Sequence, residues 1–275
     1  MSETAQPRPI MAGKRGLILG VANEKSIAWG IASAVAGQGA ELAFTYQNDA
    51  IKRRVEPLAA SVGSDLVMQC DVSDTASLDA VVSALAERWG RIDFAVHAVA
   101  YSDKNELKGR YCDTSRSNFR STLDVSCYSF TALAQRVAPL MTEGGSLITL
   151  TYLGAERSTP NYNVMGVAKA ALEASVRYLA VDLGPDRIRV NAISAGPMRT
   201  LAGSAIADAR YTFRYAENAA PLKRNASLEE VGRAGLYLLS DLSSGVTGEI
   251  MHVDGGFHSV AIPRPQAGVT PPPEQ

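Results

Sequence analysis

Seven short apolar runs alternate with helical stretches along this chain, and that alternation limits the fold more than any other feature. The first run, Arg15 to Gly20, ends in glycine, and Ser26 to Ala36 after it has helical composition with a serine at the cap position. Glu41 to Thr45 reads as a strand, Asp49 to Ser61 as a helix and Asp65 to Cys70 as a strand. Leu78 to Trp89 carries Leu78, Val81, Val82 and Leu85 at helical spacing, and Ile92 to His97 is strand again. A long helix (about Ser117 to Ala138), a strand (Ser146 to Thr151), a helix (about Tyr162 to Asp182) and a strand (Arg187 to Ile193) follow. After a long segment to Asn225 come a helix, Ser227 to Leu239, and a last strand, Glu249 to Val253. Such alternation demands right-handed crossovers, so the expected fold is one α/β domain, a Rossmann-type doubly wound seven-stranded parallel sheet.

With 275 residues, 46% of them hydrophobic, the chain can bury a large core without disulfides or metal. Its 27 basic and 28 acidic side chains nearly cancel, so no global field recruits nucleic acid or an anionic membrane, and the expected ligand is small or neutral. Cys70, Cys112 and Cys127 lack metal-ligand spacing, so no metal is expected, and they read as small buried hydrophobes in a reducing compartment. Met1 to Arg15 has no continuous apolar run and no window is long enough to span a bilayer, which points to a cytoplasmic protein. Residues 1–12 are expected as a flexible tail, 13–260 as the Rossmann-fold domain and 261–275, rich in proline, as a disordered tail. The segment from about 195 to 225 is too long for an ordinary connection and is expected to form a lid.

In an open parallel sheet, ligands bind beyond the carboxyl ends of the strands, with phosphates at the first helix N-terminus. Gly20 permits the tight turn there, Ser26 and Ile27 offer backbone N–H groups, and Gly30 is expected to let the helix approach the strand. A plain helix entry also needs a glycine and a cap, but the flanking strand and helix favour phosphate binding. Gln47, at the end of the second strand, is neutral and suits a ribose 2′-hydroxyl, whereas Lys52, Arg53 and Arg54 come a helical turn later; NADH is therefore expected over NADPH. Asp71, at the tip of the third strand, can accept from the adenine amino group, and Asp71 or Ser73 can also cap the next helix.

The most informative segment is Tyr162-Asn-Val-Met-Gly-Val-Ala-Lys169. Seven residues of α-helix turn about 700°, so both side chains share one face about 10 Å apart and can bracket one ligand. A nearby ammonium is expected to favour the phenolate and to strengthen a hydrogen bond to developing oxyanion charge. Tyr-x6-Lys also arises by chance, but its place after the fifth strand sets it apart.

In this topology the pair resembles the short-chain dehydrogenases/reductases. Further blocks resemble the divergent branch that contains bacterial enoyl-[acyl-carrier-protein] reductase of the FabI type: Gly20 to Gly30, Ala40 to Asp49, Gln69 to Val72, Leu150 to Arg157, Pro160 to Gly166, Arg189 to Leu201 and His252 to Phe257. The likeness runs from about residue 12 to 258. Ordinary carbonyl reductases of the superfamily place a serine where this chain has Thr149, and an Asn-Asn-Ala-Gly turn where it has His97 to Tyr101. Tyr152, Tyr162 and Lys169 together look like an enoyl reductase.

The resemblance implies NADH-dependent reduction of the C2=C3 bond of 2-enoyl-acyl-carrier-protein thioesters in bacterial type II fatty acid synthesis. Hydride goes to C3, and the resulting enolate oxygen takes a hydrogen bond or proton from Tyr162. Lys169 is implied at the nicotinamide ribose, and Tyr152 and Ser102 at the substrate. Implied cofactor contacts are Gly20, Ser26, Ile27, Gln47, Asp71, Val72, Val99, Lys169 and the stretch Met198, Arg199, Thr200, Leu201 and Ala202. Ala202, Ala205, Ile206 and Phe213 are implied in a lid over the acyl chain. Family members act as homotetramers and take the chain from an acidic carrier protein, which Lys52, Arg199 or Arg210 could meet if they are more than solvated surface charge. Two rivals stand: a ketoreductase or alcohol dehydrogenase acting on C=O, and a non-catalytic dinucleotide sensor.

Overall fold

The computed structural model describes residues 9–204 and 208–262. Its seven strands are β1 (Arg15–Leu19), β2 (Glu41–Tyr46), β3 (Leu66–Gln69), β4 (Phe94–His97), β5 (Gly145–Thr151), β6 (Ile188–Ala195) and β7 (Ile250–Val253). All neighbours pair in parallel in the order β3-β2-β1-β4-β5-β6-β7. The chain winds outward from β1 and then, from β4, in the opposite direction. The crevice beyond the carboxyl ends of β1 and β4 is therefore the switch point where such sheets bind ligands.

Alternation along the strands gives the sheet two apolar faces. Leu17 and Leu19 of β1, Ala95 and Leu147 bury against α3 (Thr75–Trp89), α5 (Ser129–Val137) and α6 (Asn163–Leu183). Ile18, Phe94, Val96 and Ile148 face α1 (Ile27–Ala36), α2 (Asp49–Ser61) and α9 (Leu228–Leu239) on the other side. A side chain at Gly30 would lie 2.8 Å from the Leu228 carbonyl oxygen, and one at Gly232 would lie 2.4 Å from the Gly30 oxygen. Gly30 thus serves the α1–α9 contact rather than helix-to-strand packing, which corrects the sequence reading.

Four further expectations change. The N-terminal tail was expected to reach residue 12, yet Met11 is fully buried and its N–H donates to the Gln38 carbonyl (3.0 Å); residues 1–8 lie outside the described residues, as do 263–275. The third helix is capped not by Asp71 or Ser73 but by Asp74, which accepts from the Ala76 N–H. Of the cysteines, Cys70 is buried, Cys127 partly so and Cys112 exposed. The long helix expected over about 117–138 is two helices, α4 (Arg116–Leu123) and α5, joined by a π turn at Asp124–Tyr128. There the Ser129 hydroxyl donates to the Val125 carbonyl (2.6 Å) and Ser126 turns to the loop after β4, so tertiary bonds compete with the helical ladder.

The expected lid segment contains two helices, α7 (Leu201–Ser204) and α8 (Ala209–Ala219). Ala205 and Ile206 lie outside the described residues. Among the described residues, no helix is long and apolar enough to cross a membrane, and no group of three or more His, Cys, Asp or Glu is placed to hold a metal.

Candidate active site

The switch-point crevice begins at Gly20, whose backbone is left-handed at φ +98°. A Cβ there would lie 2.1 Å from the Ala98 carbonyl oxygen, so only glycine lets the loop close onto the end of β4. Ser26 occupies the cap position of α1, but its hydroxyl turns back and accepts from the Ala22 and Asn23 N–H groups (2.9 and 3.1 Å). It stiffens the loop, and the Ser26 N–H, expected to be open to a ligand, donates instead to the Asn23 carbonyl (3.1 Å), so the donors left at the helix start are the N–H groups of Ile27 and Ala28. This is a cradle suited to phosphate.

Gln47 and Asp71 meet at the tips of β2 and β3: the Gln47 amide donates to an Asp71 carboxylate oxygen (3.3 Å). The Ser73 hydroxyl and N–H bond the other oxygen (2.7 and 3.0 Å) and hold the carboxyl below its ordinary range, aided by Gln47. Val72 and Val99 line the adjoining core face. Lys52 is engaged elsewhere, 3.7 Å from Glu56 and with its ammonium 5.6 Å from the Tyr46 ring centroid.

Tyr162 is the residue just before α6, not its first helical residue, between Asn161 and Asn163, both left-handed. The Asn163 amide ties this strained entry down by donating to the Leu107 and Gly109 carbonyls (3.1 and 3.2 Å). Asn161 donates to Asp208 at the start of α8 (3.0 Å), linking the site to the lid. The Tyr162 ring is buried among Leu107, Val164 and Met165 and meets the Tyr152 ring edge-on at 5.1 Å. Gly154 makes room for it, since a Cβ there would come within 2.4 Å of the Tyr162 ring. Lys169, also buried, donates to the Leu150 carbonyl (2.7 Å).

Burial is the dominant electrostatic effect here. It pushes the Tyr162 phenol far above its usual range, with Tyr152 and Glu173 adding to it, and raises Tyr152 too. The expectation that Lys169 favours the Tyr162 phenolate does not hold here: Lys169 is not among the groups that shift Tyr162, burial dominates, and the neutral phenol is the favoured form. Burial lowers Lys169 to about 8, while Cys127 and Glu173 pull it back up.

Several residues of the site escaped the sequence reading. His97 is fully buried, with Nδ1 3.0 Å from the Thr149 hydroxyl and Nε2 2.8 Å from the Ser129 hydroxyl; burial, with Lys169 nearby, drives it down to about 3, so it is neutral. The Ser126 hydroxyl accepts from the Tyr101 N–H and donates to its carbonyl (both 3.0 Å). Ser102, expected at the substrate, shares hydrogen bonds with Asn118 and Thr122 (3.3 and 2.9 Å). Ser126 and Ser129, inside a stretch of helical composition, are the sequence signal that could have pointed to such bonds. Across the crevice, Met198 is partly buried and Thr200 accepts from the Gly203 N–H (2.9 Å). The Arg199 guanidinium lies over the Phe213 ring at 4.6 Å, and Leu201 is half exposed.

Comparison of the whole chain with known proteins places it in a family. A family model described as enoyl-(acyl carrier protein) reductase matches residues 20–258. The chain belongs to the enoyl-(acyl carrier protein) reductase family. It is 64% identical to enoyl-[acyl-carrier-protein] reductase [NADH] 1 of Rhizobium meliloti (strain 1021), over 94% of this chain and 95% of that one. The reductase superimposes with TM-score 0.90 on a crystal structure of the Anaplasma phagocytophilum enoyl-(acyl-carrier-protein) reductase in complex with NAD, 59% identical and covering 94% and 98% of the two chains. It also matches, at TM-score 0.90 and 47% identity, the Bacillus cereus enoyl-acyl carrier protein reductase with NADP+ and an indole naphthyridinone, covering 92% and 99%.

Proposed function

We propose that the reductase transfers hydride from NADH to C3 of a 2-enoyl thioester borne on acyl carrier protein, the reduction that completes each elongation round of type II fatty acid synthesis. One observation carries this choice over a carbonyl reductase. Thr149, which stands where carbonyl reductases place a serine, is fully buried and its hydroxyl is bonded to His97, so it does not reach a substrate carbonyl. Tyr152 instead stands against Tyr162, giving the oxygen of an enolate a neutral phenol donor in a dry apolar cluster.

The cradle at Gly20, Ser26 and Ile27 fits a pyrophosphate, and Gln47 beside Asp71 fits an adenosine ribose without a 2′-phosphate; the diversion of Lys52 to Glu56 supports NADH. When bound, the nicotinamide supplies the hydride. Lys169 holds its ribose and lends positive charge, Tyr162 donates to the thioester oxygen, and Tyr152 and Ser102 contact the substrate. Val72, Val99 and the stretch Met198 to Ala202 flank the cofactor.

On α8, Arg210, Arg214, Tyr211 and Tyr215 line an open depression of about 410 Å³. Arg210 there suits an acidic carrier, whereas Lys52 and Arg199 are already engaged. A homotetramer is supported by exposed Tyr178 and Val181 on α6 and Tyr128 in the π turn, which leave apolar surface for a partner copy. The cytoplasm is the proposed compartment, and 13–260 the folded unit apart from the packed segment at Met11.

Incubation with NADH and either crotonyl or acetoacetyl thioester tests this reading. Oxidation of NADH with the enoyl substrate is the expected result; turnover of the ketone alone means a ketoreductase, and turnover of neither leaves the sensor.

A further inference from the structure

Beyond the residues assigned above, α6 carries one more buried charge. Glu173 lies one turn after Lys169 and is as buried as the lysine, at 7% exposure each. It accepts a 2.6 Å hydrogen bond from the Thr151 hydroxyl, while Lys169 donates to the carbonyl of Leu150. Two successive side chains on one face of α6 are thus fastened to two successive residues of β5, immediately before Tyr152.

We propose that Glu173 is a positioning residue for the reduction: it fastens β5 to α6 beside Tyr152 and keeps the desolvated Lys169 ammonium protonated. A buried ammonium without a compensating charge loses its proton readily. Titratable groups facing Glu173 are Lys169 and Arg177 of α6, Tyr162 just before it, Glu156 after β5 and His252 of β7, which Glu156 holds at 2.8 Å; Lys169 is faced as well by His97 of β4 and by Cys127 of the π turn, which supports the ammonium ahead of Glu173. Burial, with Glu156 nearby, raises the Glu173 carboxyl, and the Thr151 bond, Arg177 and His252 counter part of that rise and favour the carboxylate beside Lys169. The inference rests on Lys169 binding the nicotinamide ribose.

The test is the pH profile of kcat/KM for NADH. Glu173→Gln keeps the shape and removes the charge, so the alkaline limb set by Lys169 should move down by about one pH unit. Glu173→Asp should move it back toward the parent. An alkaline limb unchanged in Glu173→Gln overturns the proposal. If that variant does not fold, Glu173→Met carries the test in its place: it also removes the charge, so the same alkaline limb should move down, and an unmoved alkaline limb overturns the proposal equally. Lys169→Met separates the two claims. It should abolish NADH turnover at every pH, and its failure to do so removes the lysine assignment, not the Glu173 result alone.

Discussion

Tyr152 meets Tyr162 edge to face, ring centroids 5.1 Å apart and planes 71° apart, in an apolar cluster that raises both phenols. The pair offers a substrate oxygen a neutral donor, and Tyr162 is the one at the entrance of the lysine helix. Tyr162→Phe keeps the ring in place and removes the donor, so kcat is expected to fall about 100-fold or more while NADH affinity stays near the parent value. Fluorescence titration of NADH beside steady-state turnover reads both. Parental turnover would remove Tyr162 from the chemistry.

The sheet was legible because burial on both faces writes near-continuous apolar runs, and all seven strands fall within two residues of where the pattern put them. The Tyr162/Lys169 pair was legible from helical spacing. What spacing cannot carry is the partner of a polar group. The π turn at Asp124–Tyr128 arises because Ser126 and Ser129 bond the β4 loop and a carbonyl one turn back. Nothing in the helical pattern of α6 marks Glu173, which meets Thr151 only through the fold. Gly30 signalled a close approach, but which element approaches is a property of topology. The direction of the Tyr162 shift depends on burial depth, which sequence does not state.

His97 links stability to acidity. Its folded pKa, about 3, lies below the unfolded value of about 6.5, so the unfolded chain binds the extra proton between those limits. Its neutral burial therefore stabilises fully above pH 6.5 and is progressively lost as pH falls toward 3. Urea unfolding is expected to weaken by up to about 1.4 kcal/mol per pH unit from this one group, and His97→Gln should remove that part of the slope. Equal slopes in both proteins would mean that the imidazole is not held neutral.

Asp71 tests the adenosine end. Its carboxylate is ordered by Ser73 and Gln47, and in the proposed function it accepts from the adenine amino group. Asp71→Asn replaces one acceptor oxygen by a donor, and KM for NADH is expected to rise about tenfold, the worth of one charge-assisted hydrogen bond, with kcat nearly unchanged. A loss confined to kcat would place Asp71 elsewhere in the cycle.

The last expectation concerns two glycines far from the chemistry. Gly232 of α9 packs so closely on α1 that a Cβ would lie 2.4 Å from the Gly30 carbonyl oxygen, which is backbone and cannot rotate aside. Gly232→Ala must push α9 and α1 apart, at a cost of about 1–3 kcal/mol for an overpacked contact. Because the N-terminus of α1 forms the proposed phosphate cradle, its displacement should also weaken NADH binding. Gly245→Ala is the matched control, since nothing lies within 4 Å of a Cβ there and its backbone is not left-handed. Thermal unfolding and NADH titration of the two variants are expected to separate them, with Gly232→Ala losing stability and affinity together and Gly245→Ala neither. Parental NADH affinity in a destabilised Gly232→Ala would mean that the α1–α9 contact supports the fold without setting the cradle.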